Sequence, residues 1–122
     1  DEAHGPHFAF HRDLPTTALS SGADIVIQST HKVLSAFTQA AMLHTQGERI
    51  DQSRLAQSLQ LTQSTSPSYL LLGSLDAARH QMSTQGKALM TRTIDLANRA
   101  SHELKQLSGL RVLQPGSMDS EL

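Results

Sequence analysis

Only one stretch of this chain is strongly β-branched: Ala23-Asp24-Ile25-Val26-Ile27-Gln28, bounded by Gly22 and by the polar pair Ser29-Thr30. Such side chains pack well on a pleated surface and lose rotamer freedom in a helix, so the run reads as a buried strand. The second half has the opposite character. Leu71, Leu75, Ala78 and Met82 repeat at intervals of four, three and four, and Met90, Ile94, Ala97, Leu104 and Leu107 continue the apolar face up to Gly109. That is the period of a helix with one buried side. Gly86 is where it should kink or break, and Gly109 is its expected C-cap. A strand near the front followed by long helices implies an α/β chain.

Shorter elements fill the remainder. From Leu14-Pro15 to Gly22 the pattern is a short helix or turn closed by glycine. Phe37-Thr38-Gln39-Ala40-Ala41-Met42-Leu43-His44 reads as a second strand ended near Gly47, with helix as the rival because Ala and Met favour it. Asp51 is a good N-cap, Ile50 is placed to staple to Leu55, and Leu55 and Leu59 mark a short apolar stripe. Ser64-Thr65-Ser66-Pro67 is a break, with Pro67 expected in the first turn of the next helix. Leu110-Arg111-Val112-Leu113 alternates enough for a final strand.

Composition narrows the function. A chain of 122 residues makes one modest domain, 38% hydrophobic and 17% charged, which is globular rather than disordered. Lys and Arg number 10 against 11 Asp and Glu, a formal charge of 10 − 11 = −1. No basic surplus is left for tracking a phosphate backbone, so no nucleic-acid partner is expected. The absence of cysteine removes disulfides, thiolate metal sites and thiol nucleophiles, and suits a reducing, cytoplasmic setting. No apolar run approaches the roughly 18–20 residues of a membrane span, and no signal peptide is visible. The termini read as those of a segment of a longer protein.

Three readings compete for the first residues. Asp1-Glu2-Ala3-His4 has the letters of a Walker B box, in which the acids hold Mg²⁺, but the Gly-rich phosphate loop that such chemistry needs is not in the sequence. His4, His7 and His11 have metal-ligand spacing on a helix, although Gly5-Pro6 opposes a helix there. The third reading joins this cluster to Ser29-Thr30-His31-Lys32. Lys32 is one of only three lysines and directly follows the best strand. Ligands of open α/β sheets gather outside the carboxyl ends of strands, and a lysine there can condense with an aldehyde. A lone lysine at a strand end is ordinarily just solvated.

The joint pattern decides for the third reading. Asp1-Glu2-Ala3-His4-Gly5, then the strand, then Gln28-Ser29-Thr30-His31-Lys32, closely resemble the pyridoxal 5'-phosphate (PLP) core of the Orn/Lys/Arg decarboxylases, enzymes of the fold-type I, aspartate-aminotransferase-like group. The likeness continues through Thr38-Gln39-Ala40-Ala41-Met42-Leu43-His44 and Ser64-Thr65-Ser66-Pro67. It implies that residues 1–122 are part of the large cofactor domain, without the upstream phosphate loop and the C-terminal small domain. The resemblance implies that Lys32 carries the cofactor aldehyde and that Asp1 faces the pyridine nitrogen. By the same likeness Ala3 lies flat on the ring and His4 sits at its polar edge. Ser29 and His31 would hold the phosphate, and Thr65 and Ser66 would reach a neighbouring subunit's site.

The expected activity is decarboxylation of a basic amino acid, arginine before lysine or ornithine, in a homodimer or higher homo-oligomer without metal or membrane partners. Another fold-type I chemistry, such as cysteine desulfuration or transamination, is the rival among enzymes, and Ser64-Thr65-Ser66-Pro67 argues against it. A catalytically silent assembly module is the rival outside enzymes.

Overall fold

The computed structural model describes residues 1–113, so the closing residues, read from the sequence as a cut end, lie outside it. The β-branched run forms β1 (Ile25–Gln28), which pairs antiparallel with β2 (Met42–Thr45), Val26 opposite His44 and Ile27 opposite Leu43. A single helical turn, α1 (Thr30–Val33), leaves β1. Two further helices follow, α2 (Gln52–Thr62) and α3 (Tyr69–Leu104). Strand and helix thus occur in the order implied by the two periodicities. Two compact units are present, Asp1–Lys87 and the chain from Ala88 onward, with the division falling inside α3. Among the described residues no helix is long and apolar enough to cross a membrane.

The chain's first residues are bonded to β1 as well. Glu2 N donates to Ile27 O at 3.0 Å and Ser29 N donates to Ala3 O at 3.2 Å. The partner numbers rise together, so residues 1–3 run beside β1 in the same direction. The approach to β1 is a set of turns over residues 17–23, closed by Gly22 at φ +93°. Arg49 grips Asp24 with two bonds of 3.0 Å, and Gln46 Nε2 donates to Leu19 O and Ala23 O, tying β2's exit to the same turns.

The core within the first unit holds Val26, Ala40, Ala78 and Met82. Here the expectation of a fully buried strand needs correcting. Val26 is covered, whereas Ile25 and Ile27 remain 40% and 50% exposed. Alternate strand residues face opposite sides, and the described residues cover only one of them.

Several expected elements also differ. The second strand begins only at Met42, and Phe37–Ala41 is neither strand nor helix. Its backbone groups are taken elsewhere: Phe37 N donates to Ser74 Oγ and Ala40 O accepts from His31, with Gln39 at φ +72° making the turn. Pro67 lies outside α3. Ser68 occupies the cap instead, its hydroxyl accepting from Leu71 N at 3.5 Å and its carbonyl from Leu72 N at 3.1 Å.

Gly86 does not end α3, which continues through it to Leu104. Gly86 is buried, and a Cβ built there would come 2.8 Å from Phe10 Cδ1. The helix ends at Leu104 rather than at a Gly109 cap. Gln106 and Leu107 then bond three residues back, and Gly109, at φ +83°, closes a turn. Residues 110–113 form no strand among the described residues; Leu110 N bonds back to Leu107 O. Asp51 does cap α2, its carboxylate accepting from Ser53 N and Arg54 N at 2.9 and 3.1 Å.

Candidate functional site

Asp1 leads directly into a tight turn that Ala3 begins, in which Gly5 N donates to Glu2 O at 2.9 Å. Asp1 and Ala3 both line an open groove of about 490 Å³, together with Glu2, His4, Gly5, Phe8, Thr16 and Ala18. Asp1 Oδ1 accepts from Ala3 N at 2.9 Å, which holds the carboxylate over the start of the groove. Ser29 joins this stretch to the turn that follows: its N–H donates to Ala3 O, and its own carbonyl accepts from Lys32 N at 3.0 Å. The turn α1 then sorts its side chains by helical spacing. Thr30 points inward and is 1% exposed, with its hydroxyl unpaired, while Lys32 is exposed. Among the described residues the Lys32 side chain makes no ion pair.

His31 is held twice by one acceptor. Its backbone N–H and its ring Nδ1 lie 3.2 and 2.9 Å from Ala40 O. A carbonyl can only accept, so Nδ1 carries the proton and Nε2 is the nitrogen left for a ligand. The φ of +72° at Gln39 turns the chain so that this carbonyl meets the ring.

The structure thus brings Asp1, Ala3 and His4 to one groove and links Ser29 and the Lys32 turn to them through the backbone. Thr65 and Ser66 are placed differently. They are exposed between α2 and α3, where Ser64 Oγ accepts from Ser66 N and donates to Ser66 O, and among the described residues no hydrogen bond ties them to residues 1–32.

Glu2, which lines the same groove, reads from the sequence only as a potential Mg²⁺ ligand. Its carboxylate instead accepts from Ala18 N at 2.7 Å and from Gln28 Nε2 at 2.6 Å, and Gln28 Oε1 accepts from His44 Nε2 at 3.0 Å. Both carboxylate oxygens are committed to protein donors, which sets this acid against the magnesium reading. No sequence signal links positions 2, 18, 28 and 44; only the fold does. The other histidines do not converge either. His7 packs edge-on against Phe8, its burial holds its pKa below the usual value, and His11 Nδ1 accepts from Asp13 N. Among the described residues no three His, Asp or Glu side chains come together as a metal site.

The family profile of the Orn/Lys/Arg decarboxylase major domain matches residues 1–121. The chain belongs to the Orn/Lys/Arg decarboxylase family. It is 41% identical over 110 residues to the arginine decarboxylase of Bacillus subtilis, covering 90% of this chain and 22% of that protein. It is 34% identical to the lysine decarboxylase of Hafnia alvei, covering 88% of this chain and 15% of that one. Among solved structures it is similar to the lysine decarboxylase of Francisella novicida, with a TM-score of 0.80 and 32% identity, over 97% of this chain and 18% of that one. The chain therefore spans about a fifth of the length of these family members.

Proposed function

We propose that the full protein containing this chain decarboxylates a basic amino acid with the help of PLP, and that these residues are part of its fold-type I large domain. One observation carries the reading: Asp1 and Ala3 share a groove wall on a stretch bonded to β1, and Ser29, His31 and Lys32 leave β1 immediately beyond. Family membership supplies the reaction class.

The residues fit the cofactor on chemical grounds. The Asp1 carboxylate, the small Ala3 side chain and the His4 imidazole line a groove of about 490 Å³, within the usual size of a cofactor pocket. The Ser29 hydroxyl, the His31 imidazole and the exposed Lys32 amine lie on the segment whose backbone is bonded to Ala3. Bound PLP would supply an aldehyde that takes up the substrate amine and a ring that accepts the electron pair released with CO₂. Lys32 Nζ would hold the aldehyde in the resting enzyme. The Asp1 carboxylate would keep a proton on the ring nitrogen, and the Ala3 methyl leaves room for a flat ring where a larger side chain would collide. His4 would sit at the ring's polar edge. Ser29 Oγ would donate to phosphate oxygens. His31 can do so only through Nε2 and therefore as an imidazolium, since Nδ1 is engaged by Ala40 O.

Arginine is the first substrate proposed, with lysine and ornithine next; identity to the arginine decarboxylase, 41%, exceeds the 34% to the lysine decarboxylase. Release of CO₂ and of the matching amine from the three amino acids tests this, and turnover of none of them by the PLP-loaded full protein would refute it. The setting proposed is cytoplasmic, in a homodimer or larger homo-oligomer with Thr65 and Ser66 completing the partner's site. Exposed Leu61, Tyr69 and Leu70 flank that pair and suit it to an interface. Mixing Lys32→Ala subunits with Thr65→Ala/Ser66→Ala subunits should restore activity. Exchange without restoration would show that both segments act within one chain.

A further inference from the structure

The Glu2 carboxylate is the meeting point of four parts of the first unit. It receives Ala18 N–H from the turns before β1 and the Gln28 amide from the end of β1, and Gln28 in turn receives His44 from β2. Its own backbone N–H is bonded to Ile27 O. Room for this arrangement comes from Gly5, where any Cβ would overlap Glu2 Cγ and approach Phe8 Cε2 to 2.8 Å.

We infer that Glu2 is the positioning residue of the site: it fixes the stretch on which Asp1 and Ala3 are presented, and it does so through a hydrogen-bond relay of defined direction. The inference rests on the role given above to Asp1 and Ala3. The direction follows from donor chemistry. An ionised carboxylate only accepts, so Gln28 must turn its NH₂ to Glu2. Its carbonyl then faces His44, whose Nε2 must carry the ring proton. The state of Glu2 thereby sets the tautomer of a histidine two hydrogen bonds away. Charge-assisted bonds of this kind are stronger than neutral ones, and losing both at once leaves the residue between Asp1 and Ala3 held only through its backbone bonds to Ile27 and Gly5.

Glu2→Gln and Glu2→Ala separate the relay from mere bulk. In Glu2→Gln the introduced amide can accept from Ala18 N–H with its oxygen, but it offers NH₂ to Gln28. Gln28 must then turn over, and His44 must accept at Nε2 and move its proton to Nδ1. The register is kept while the relay runs backwards. The test uses the full protein with ¹⁵N-labelled histidine at pH 8, above the usual histidine range, without cofactor, and with the His44 signal assigned by its loss in His44→Gln.

Wild type should show a protonated Nε2 and Glu2→Gln an unprotonated one. PLP affinity, measured separately, should fall at least about tenfold in Glu2→Ala, on the scale of a lost charged hydrogen bond, and stay within about threefold of wild type in Glu2→Gln. An unchanged His44 signal in Glu2→Gln, or unaltered PLP affinity in a folded Glu2→Ala protein, overturns the inference. If Glu2→Ala does not fold, the Glu2→Gln signal decides alone. Failure of the wild type itself to bind PLP counts against the proposed function and not against the relay, which is read without cofactor.

Discussion

Two glycines in α3 should respond to the same substitution with opposite signs. Gly73 and Gly86 both lie within the helix, and a Cβ at Gly73 meets nothing within 4 Å. At Gly86 the same atom comes within 2.8, 3.0 and 3.1 Å of Phe10 Cδ1, Cγ and Cβ. Ring rotation cannot relieve the last of these, because Phe10 Cβ is fixed to the backbone of the 3₁₀ turn Phe8–Phe10. Helix propensity favours alanine over glycine by about 1 kcal/mol at either site, so Gly73→Ala should stabilise by about 0.5–1 kcal/mol. Overpacking of a filled site costs about 1–3 kcal/mol. Gly86→Ala should therefore come out roughly 0–2 kcal/mol less stable than wild type. Propensity cancels between the variants, leaving a gap of about 1–3 kcal/mol that reports the Phe10 contact alone. Urea unfolding with a common m-value is the assay. Equal shifts in the two variants would refute the packing account, as would a Gly86→Ala/Phe10→Ala double variant showing no favourable coupling.

Three further outcomes follow from other parts of the molecule. Asp51→Ala removes the acceptor for two α2 N–H groups and should cost about 1 kcal/mol; unchanged amide exchange at Ser53 and Arg54 would contradict it. His7 has its pKa lowered by burial, so the unfolded chain binds its proton first as pH falls. Stability from this group is intact above about pH 6.5 and declines below it until the folded pKa is reached; a His7→Gln variant should show a flatter pH–stability curve, and an identical curve would count against the assignment. Asp1→Asn should lower kcat at least about a hundredfold while leaving the phosphate contacts in place, and near-normal turnover would show that this carboxylate does not face the ring nitrogen.

What the sequence revealed was local. The strand of Ile25, Val26 and Ile27, the Asp51 cap and the turn at Gly22 each carry their cause within a few residues, and each occurs where its chemistry places it. The features it hid depend on residues distant along the chain. Phe37–Ala41 gives up its strand pattern because His31 and Ser74 take its backbone groups. Gly86 looked like a helix breaker because Phe10, which occupies its Cβ space, is far away in sequence. The candidate site divides in the same way. Asp1, Ala3, Ser29, His31 and Lys32 were legible as a family pattern, whereas Glu2 emerges only when Ala18, Gln28 and His44 are folded around it.

Borohydride reduction of the PLP-loaded full protein, followed by peptide mapping, tests the functional assignment most directly. Lys32 leaves the end of β1 one residue after His31 and is exposed, with no ion pair among the described residues. The account predicts a single pyridoxyl label, on Lys32. A label on Lys87 or Lys105 instead, or none on this segment, would contradict it.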